Sequence, residues 1–209
     1  MKRILLTFTV IVAGLSMMAP DIIAQSGYGN NSATKREQRH QAWQEDMAKF
    51  RARSEHDRQI QALTDSIASI QATAAIKNQD FVLEANSVMF KNGSTVFVNS
   101  NTNFISVKGN RAVVQISPSN FASGPNGVGG VTVDGMITDK SIKTDKRGNI
   151  TYTMNVMGVG INAQVEIYMY PGSNSANATI YPNFNSNTVW IHGDIVPSEN
   201  SNEIEGNSL

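Results

Sequence analysis

Ile150-Thr-Tyr-Thr-Met-Asn-Val-Met-Gly-Val-Gly-Ile-Asn-Ala-Gln-Val-Glu-Ile-Tyr-Met-Tyr170 is the stretch from which the fold is read. Ile150, Tyr152, Met154 and Val156 alternate with Thr151, Thr153 and Asn155. After Met157-Gly-Val-Gly160 the alternation resumes, with Ile161, Ala163, Val165, Ile167 and Met169 set against Asn162, Gln164, Glu166, Tyr168 and Tyr170. A period of two with one apolar parity is a strand buried on one face only. Two such runs joined by a glycine-rich reversal predict a hairpin.

Runs of the same kind extend outward on both sides of this hairpin. They cover Phe81 to Phe90, Thr95 to Val98, Phe104 to Val107, Ala112 to Ser117, Val131 to Lys143, Ala176 to Tyr181 and Thr188 to Val196, so the chain is read as nine strands. The connections Lys91-Asn-Gly-Ser94, Lys108-Gly-Asn110, Lys146-Arg-Gly-Asn149 and Pro171-Gly-Ser-Asn174 carry turn residues and are too short for parallel crossovers. The clusters Asn99-Ser-Asn-Thr-Asn103 and Asn183-Phe-Asn-Ser-Asn187 read as further reversals, because Asn amides bond neighbouring backbone and tolerate left-handed φ. An antiparallel meander must close or cover its edges. The expected fold is therefore mostly β, an up-and-down barrel (lipocalin-like) or a curved sandwich, with an N-terminal α-helix across one opening.

Upstream of Asp80 the period changes. Ile60, Leu63, Ile67, Ile70 and Ala74 recur at steps of three and four, the stripe of an amphipathic helix expected to pack on the β domain. Trp43, Met47 and Phe50 form a second stripe out of register with the first, which predicts a bend near Arg53-Ser-Glu-His56 or a rotation of one stripe away from the other. Lys35 to Arg58 intersperses basic and acidic residues, a solvated face more than an anionic-membrane footprint.

Met1-Lys-Arg before an apolar run, with Ala24 ahead of polar Gln25, reads as a secretory signal. The expected organisation is residues 1–24 as a cleaved signal peptide, 25–79 as polar linker and charged amphipathic helix, and 80–209 as the antiparallel β domain. This places the protein in the periplasm or outside the cell, with no membrane-spanning segment after cleavage. The whole chain has 17 basic and 17 acidic residues, and without Lys2, Arg3 and Asp21 these become 15 and 16, a charge of −1. Such a balance argues against nucleic acid as a partner.

Cysteine is absent, and the only histidines, His40, His56 and His192, stand at no metal-ligand spacing, so neither a metal nor a cofactor is expected. No strand-turn-helix nucleophile elbow is present, and catalytic residues are read as none. Gly124 to Gly130 lacks the Lys-Ser/Thr ending of a phosphate loop. It belongs to a long connection after Ser117 whose Phe121 and Asn126, with Trp190, are the candidate binding residues at a barrel rim. Asp65-Ser66-Ile67 resembles a short bacterial O-glycosylation acceptor.

Phe81-Val-Leu-Glu-Ala85, Thr95-Val-Phe-Val-Asn-Ser-Asn-Thr-Asn-Phe-Ile105, Gly124-Pro-Asn-Gly-Val-Gly-Gly-Val-Thr-Val133, Lys143-Thr-Asp-Lys146 and Pro182-Asn-Phe-Asn-Ser-Asn187 together resemble the bacterial domain-of-unknown-function family DUF4251. The resemblance runs from about Asp80 to Leu209. It implies an exported, mostly β protein without assigned activity, and carries over no catalytic residues. The functional expectation is non-enzymatic binding of a small apolar or glycan-like ligand, in a cavity lined by residues such as Val133, Ile161 and Val165. The alternative is a structural or protein-interaction module of the cell envelope that uses the helix or the β surface.

Overall fold

The computed structural model of the chain describes residues 30–117, 130–159, 162–183 and 188–206, the first five by backbone only. Among the described residues one helix, α1 (Asn30–Asn78), precedes nine strands: β1 (Asp80–Phe90), β2 (Thr95–Phe97), β3 (Phe104–Lys108), β4 (Arg111–Ile116), β5 (Val131–Thr144), β6 (Ile150–Gly158), β7 (Asn162–Met169), β8 (Ser175–Pro182) and β9 (Val189–Pro197). The chain divides into two compact units between Ala52 and Arg53. All strand neighbours are antiparallel, in the order β2-β1-β3-β4-β5-β6-β7-β8-β9, and β1 also pairs with β9. That last pairing closes β1 and β3 to β9 into an eight-stranded barrel, with β2 as an extra strand on β1.

The hairpin that decides the fold forms, pairing from Ile150 opposite Met169 to Met157 opposite Asn162. Alternation sends one parity inward. Phe81, Leu83, Ile105, Val107, Tyr152, Met154, Val165, Ile167, Met169, Ile191 and Ile195 are all buried in one continuous cluster. Val133, expected to line a cavity, is part of the same cluster. A small barrel filled by its own side chains is the ordinary outcome for eight strands. The β5–β6 turn is fixed by Asp145, whose carboxylate accepts from the N–H groups of Arg147 (2.8 Å) and Asn149 (2.9 Å). Gly148 there takes φ +88°, a conformation costly for residues with a Cβ.

The last turns of α1 are part of the barrel. Ala72, Ala75 and Ile76 are buried in the barrel cluster at the end where β1 begins, and Gln79 ends the helix with φ 58°. The expected packing face is corrected here. Ile60, Leu63, Ile67 and Ile70 are 51–69% exposed, and Ala74 is exposed too. Placing 72, 75 and 76 against the barrel turns the 60-63-67-70-74 stripe toward solvent, because these sets occupy different sides of a 3.6-residue helix. The helix is also unbroken through Arg53 to His56.

The first asparagine cluster is corrected as well. β2 and β3 both run antiparallel to β1 and pair with the same edge of it, at Ser87 to Met89 and at Asp80 to Glu84. Asn99 to Asn103 is therefore an excursion within one strand line and does not reverse the chain. The three steps of β1 from Glu84 to Ser87 lie opposite seven steps of its partner, from Phe104 back to Phe97.

After β9 the chain makes a 3-10 turn at Ser198–Asn200 and crosses the outer side of β1, β3 and β4. Ser201 donates to Glu84 (2.8 Å), Lys108 pairs with Glu203 (2.7 Å), and Arg111 binds both Asp134 and Glu205. On that side a second small cluster, Val82, Phe104 and Val113, is buried on the outside of the barrel.

Candidate functional site

Two polar assemblies stand out. The first lies between the asparagine excursion and the C-terminal strap. Asn103 is fully buried and donates to the carbonyls of Asn99 (3.0 Å) and Ser117 (3.1 Å), while its Oδ1 accepts from Ser117 N–H at 2.7 Å. Gln115, also fully buried, donates to the carbonyls of Thr102 and Ile204 and accepts from Thr132 and from Gly206 N–H. Such a saturated network fixes backbone and leaves little capacity for a ligand. Its chemistry is structural.

The second is the outer face of β6 to β9, made of the parity opposite to the core. Register places its side chains in cross-strand rows. One row runs Thr151, Tyr168, Asn177, His192, Ser87, the next Thr153, Glu166, Thr179, Trp190, Met89, and a third Asn155, Gln164, Tyr181. These four strands contain no lysine or arginine. Asn177 is held on both sides: its Nδ2 donates to Tyr170 Oη at 2.7 Å and its Oδ1 lies 2.8 Å from His192 Nδ1. An amide oxygen only accepts, so in that contact Nδ1 is the donor. Tyr168 and Tyr170 pack edge to face, centroids 5.1 Å apart.

The third row borders an open cleft of about 480 Å³, lined among the described residues by Thr138, Asp139, Asn155, Met157, Gln164, Tyr181 and Asn183 with parts of their neighbours. Asn183 Oδ1 accepts from Asn162 N–H (3.2 Å), and its own N–H donates to the Asn162 carbonyl (3.0 Å), tying the ends of β7 and β8 together. Another open cleft of about 480 Å³ lies at Phe90, Lys91, Asn92, Thr188 and Val189, and one of about 600 Å³ between Arg111, Asp134, Met136 and Val159.

Among the described residues three titrations are displaced, all away from this face. The Asn149 side chain, assisted by turn N–H groups, holds Asp145 below the usual carboxylate range. Hydrogen bonding to Asp134 raises Arg111 further. Burial raises the Tyr152 phenol. Among the described residues, no three His, Asp or Glu side chains gather where they could hold a metal ion.

Of the expected rim residues, Phe121 and Asn126 lie outside the described residues, as do Ile161 and Asn185. Trp190 is partly buried on the outer face of β9, opposite Met89 on one side and Thr179 on the other. His192 is an exposed strand residue, as its parity indicates. Sequence reading gave Tyr170 and His192 only as outward strand residues and missed their grouping around Asn177. The alternating polar parity was visible, but the rows need the strand register, which no single strand contains.

A family model described as Domain of unknown function (DUF4251) matches residues 65–195. The match begins inside α1, fifteen residues before Asp80, so it takes in the helical turns that close the barrel, where the shared sequence words began only at about Asp80. A crystal structure of a DUF4251 family protein from Bacteroides eggerthii DSM 20697 is similar, with 49% sequence identity and a TM-score of 0.60 over 68% of this chain and 95% of that chain. No curated protein matches.

Proposed function

The chain belongs to the DUF4251 family, and from that premise we propose that it is an exported, non-enzymatic binding module that meets its ligand on the outside of a filled barrel. The observation that carries this reading is the interior. A carrier of the lipocalin-like kind needs a connected cavity, whereas here Tyr152, Phe81, Leu83, Met154, Ile167 and Met169 fill the centre with their own side chains. An apolar ligand would have to displace them at the cost of close packing. The ordered polar and aromatic groups are outside instead, on β6 to β9. Support for export, to the periplasm or beyond, comes from the signal-like residues 1–24 alone.

The test is retention of the mature chain on an isolated cell-envelope fraction, together with titration by the apolar fluorophore cis-parinaric acid. Saturable retention is expected, reduced at least tenfold by Trp190→Thr or His192→Thr and unchanged by Tyr152→Phe, with no saturable fluorophore uptake. Stoichiometric uptake of the fluorophore, or retention indifferent to the outer-face variants, overturns the reading.

A second reading, a protein-interaction module, is favoured by the exposed helical stripe Ile60, Leu63, Ile67 and Ile70. It requires Leu63→Glu and Ile67→Glu to abolish retention while Trp190→Thr leaves it intact.

A further inference from the structure

We infer that the cleft between β5 and β8, with Trp190 in the row beside it, is a binding site for a neutral oligosaccharide; this deepens the outer-face reading and rests on it. Three features of the site specify the ligand.

Charge is the first. β6 to β9 carry no basic residue, while Asp139 lines the cleft and Glu166 lies in the next row. Among the described residues lining the cleft none is basic; of the two lysines on β5, Lys140 is bonded to Gln79 and Asn110, and Lys143 stands two rows away, opposite Thr151. Phosphate, sulfate and uronate groups would face Asp139 in the cleft, so the complementary ligand is uncharged.

Hydrogen-bonding type is the second. Asn155, Gln164 and Asn183 each present a primary amide, which offers donor and acceptor within one rigid group. Sugar hydroxyls are themselves donors and acceptors, and amides answer both roles without desolvating a charge. Asn183 is already tied to Asn162, so part of the ordering cost of the site is met before a ligand arrives.

Aromatic placement is the third. Tyr181 lines the cleft at 43% exposure. Thr179 is opposite Trp190, so Tyr181, two residues on, is the diagonal neighbour of Trp190 across β8 and β9. A pyranose ring has an apolar C–H face that stacks on an aromatic face. Diagonal neighbours on adjacent strands are about 7–8 Å apart, so the two rings offer separate stacking surfaces along one oligosaccharide. The cleft volume of about 480 Å³ lies within the range of small-ligand sites and accommodates a short segment of chain.

The experiment uses the mature full chain and four neutral hexasaccharides (malto-, cello-, xylo- and mannohexaose), with hexagalacturonate as the anionic counterpart. Binding is followed by NMR at the Trp190 indole N–H and the side-chain amides of Asn155, Gln164 and Asn183. Concentration-dependent shifts at these groups with at least one neutral hexasaccharide are expected, and none with hexagalacturonate. Tyr181→Thr, and separately Gln164→Thr, should weaken binding at least tenfold. Thermal melting of each variant verifies folding, and Gln164, on an exposed strand position, supplies the comparison should Tyr181→Thr fail to fold.

No shift with any neutral hexasaccharide at 10 mM overturns the inference, as do shifts confined to other surfaces or equal binding of hexagalacturonate. If envelope retention is still lost in Trp190→Thr while no saccharide binds, the glycan assignment fails and the outer-face reading stands. If retention ignores the outer face, both fail.

Discussion

Tyr152 is the largest of the fully buried side chains, and its hydroxyl makes no hydrogen bond among the described residues. The ring packs edge to face on Phe81, centroids 5.5 Å apart, so the aromatic body is well placed while the polar atom is not. An unpaired buried hydroxyl costs on the order of 1–3 kcal/mol. Tyr152→Phe should therefore stabilise the barrel by about 1 kcal/mol in urea unfolding at pH 7. Burial raises the phenol's pKa above its ordinary value of 10.0, so the folded state holds the proton more tightly than the unfolded chain. The stability this gives is fully present below the unfolded pKa and is lost as pH rises through the folded one. Wild type should lose stability more steeply above pH 10 than the Phe variant, and parallel profiles would show that the Tyr152 phenol titrates alike in the folded and unfolded chain. The inward parity of Tyr152 was plain in the sequence, but the isolation of its hydroxyl was not, because that depends on which side chains converge from other strands. Asn103 and Gln115 were obscure for the same reason. Each looks like an ordinary turn or strand residue until the strap from residues 201–206 brings the carbonyl of Ile204 and the N–H of Gly206 against Gln115.

At the scale of elements, the strands were legible because a period of two is a local property, whereas the barrel's closure is not. Closure depends on the β1–β9 seam, which shifts register between Ala85 and Ser87. Gly193 sits at that irregularity. A Cβ added there would lie 1.9 Å from the Glu84 carbonyl oxygen and 2.9 Å from the Ala85 Cα, both backbone atoms that cannot swing aside. Gly193→Ala should force the seam apart, with a loss of about 3 kcal/mol or more, comparable to severe overpacking. Chemical denaturation measures the loss, and amide exchange should locate it on β1 and β9 rather than on β6 and β7. A substitution tolerated within about 0.5 kcal/mol would mean that the seam is looser than its hydrogen-bonded register indicates. The other edge of β1 explains how the asparagine excursion misleads. Turn chemistry at Asn99 to Asn103 is real, with Asn101 N–H bonded to Asn99 Oδ1 at 3.0 Å. Local turn preference states that the chain bends, and only the pairing of β2 and β3 with one edge of β1 reveals that it resumes its former direction.

At the scale of the whole molecule, the helix presents two requirements that a stripe pattern alone does not separate. Ala72, Ala75 and Ile76 complete the barrel core, whereas Trp43, Phe50, Ile60, Leu63, Ile67 and Ile70 are exposed. The residues that matter for stability are mostly small, so they carry a weak hydropathy signal, and the conspicuous isoleucines drew the packing face to the wrong side. The compact unit beginning at Arg53 predicts that residues 53–209 show one cooperative melting transition within a few degrees of residues 25–209. Extending the deletion through Ile76 removes the closing layer and should expose the barrel end, lowering the transition by more than 10 °C and creating binding of the apolar dye ANS. Ile76→Ala tests the same layer without truncation. Removing most of a fully buried isoleucine costs about 2–4 kcal/mol, and for a unit of this size each kcal/mol moves Tm by roughly 2–4 °C, so a fall near 10 °C is expected. Equal melting of the two deletions would show that the barrel closes without the helix, and the family's sequence match from residue 65 onward would then need a cause other than stability.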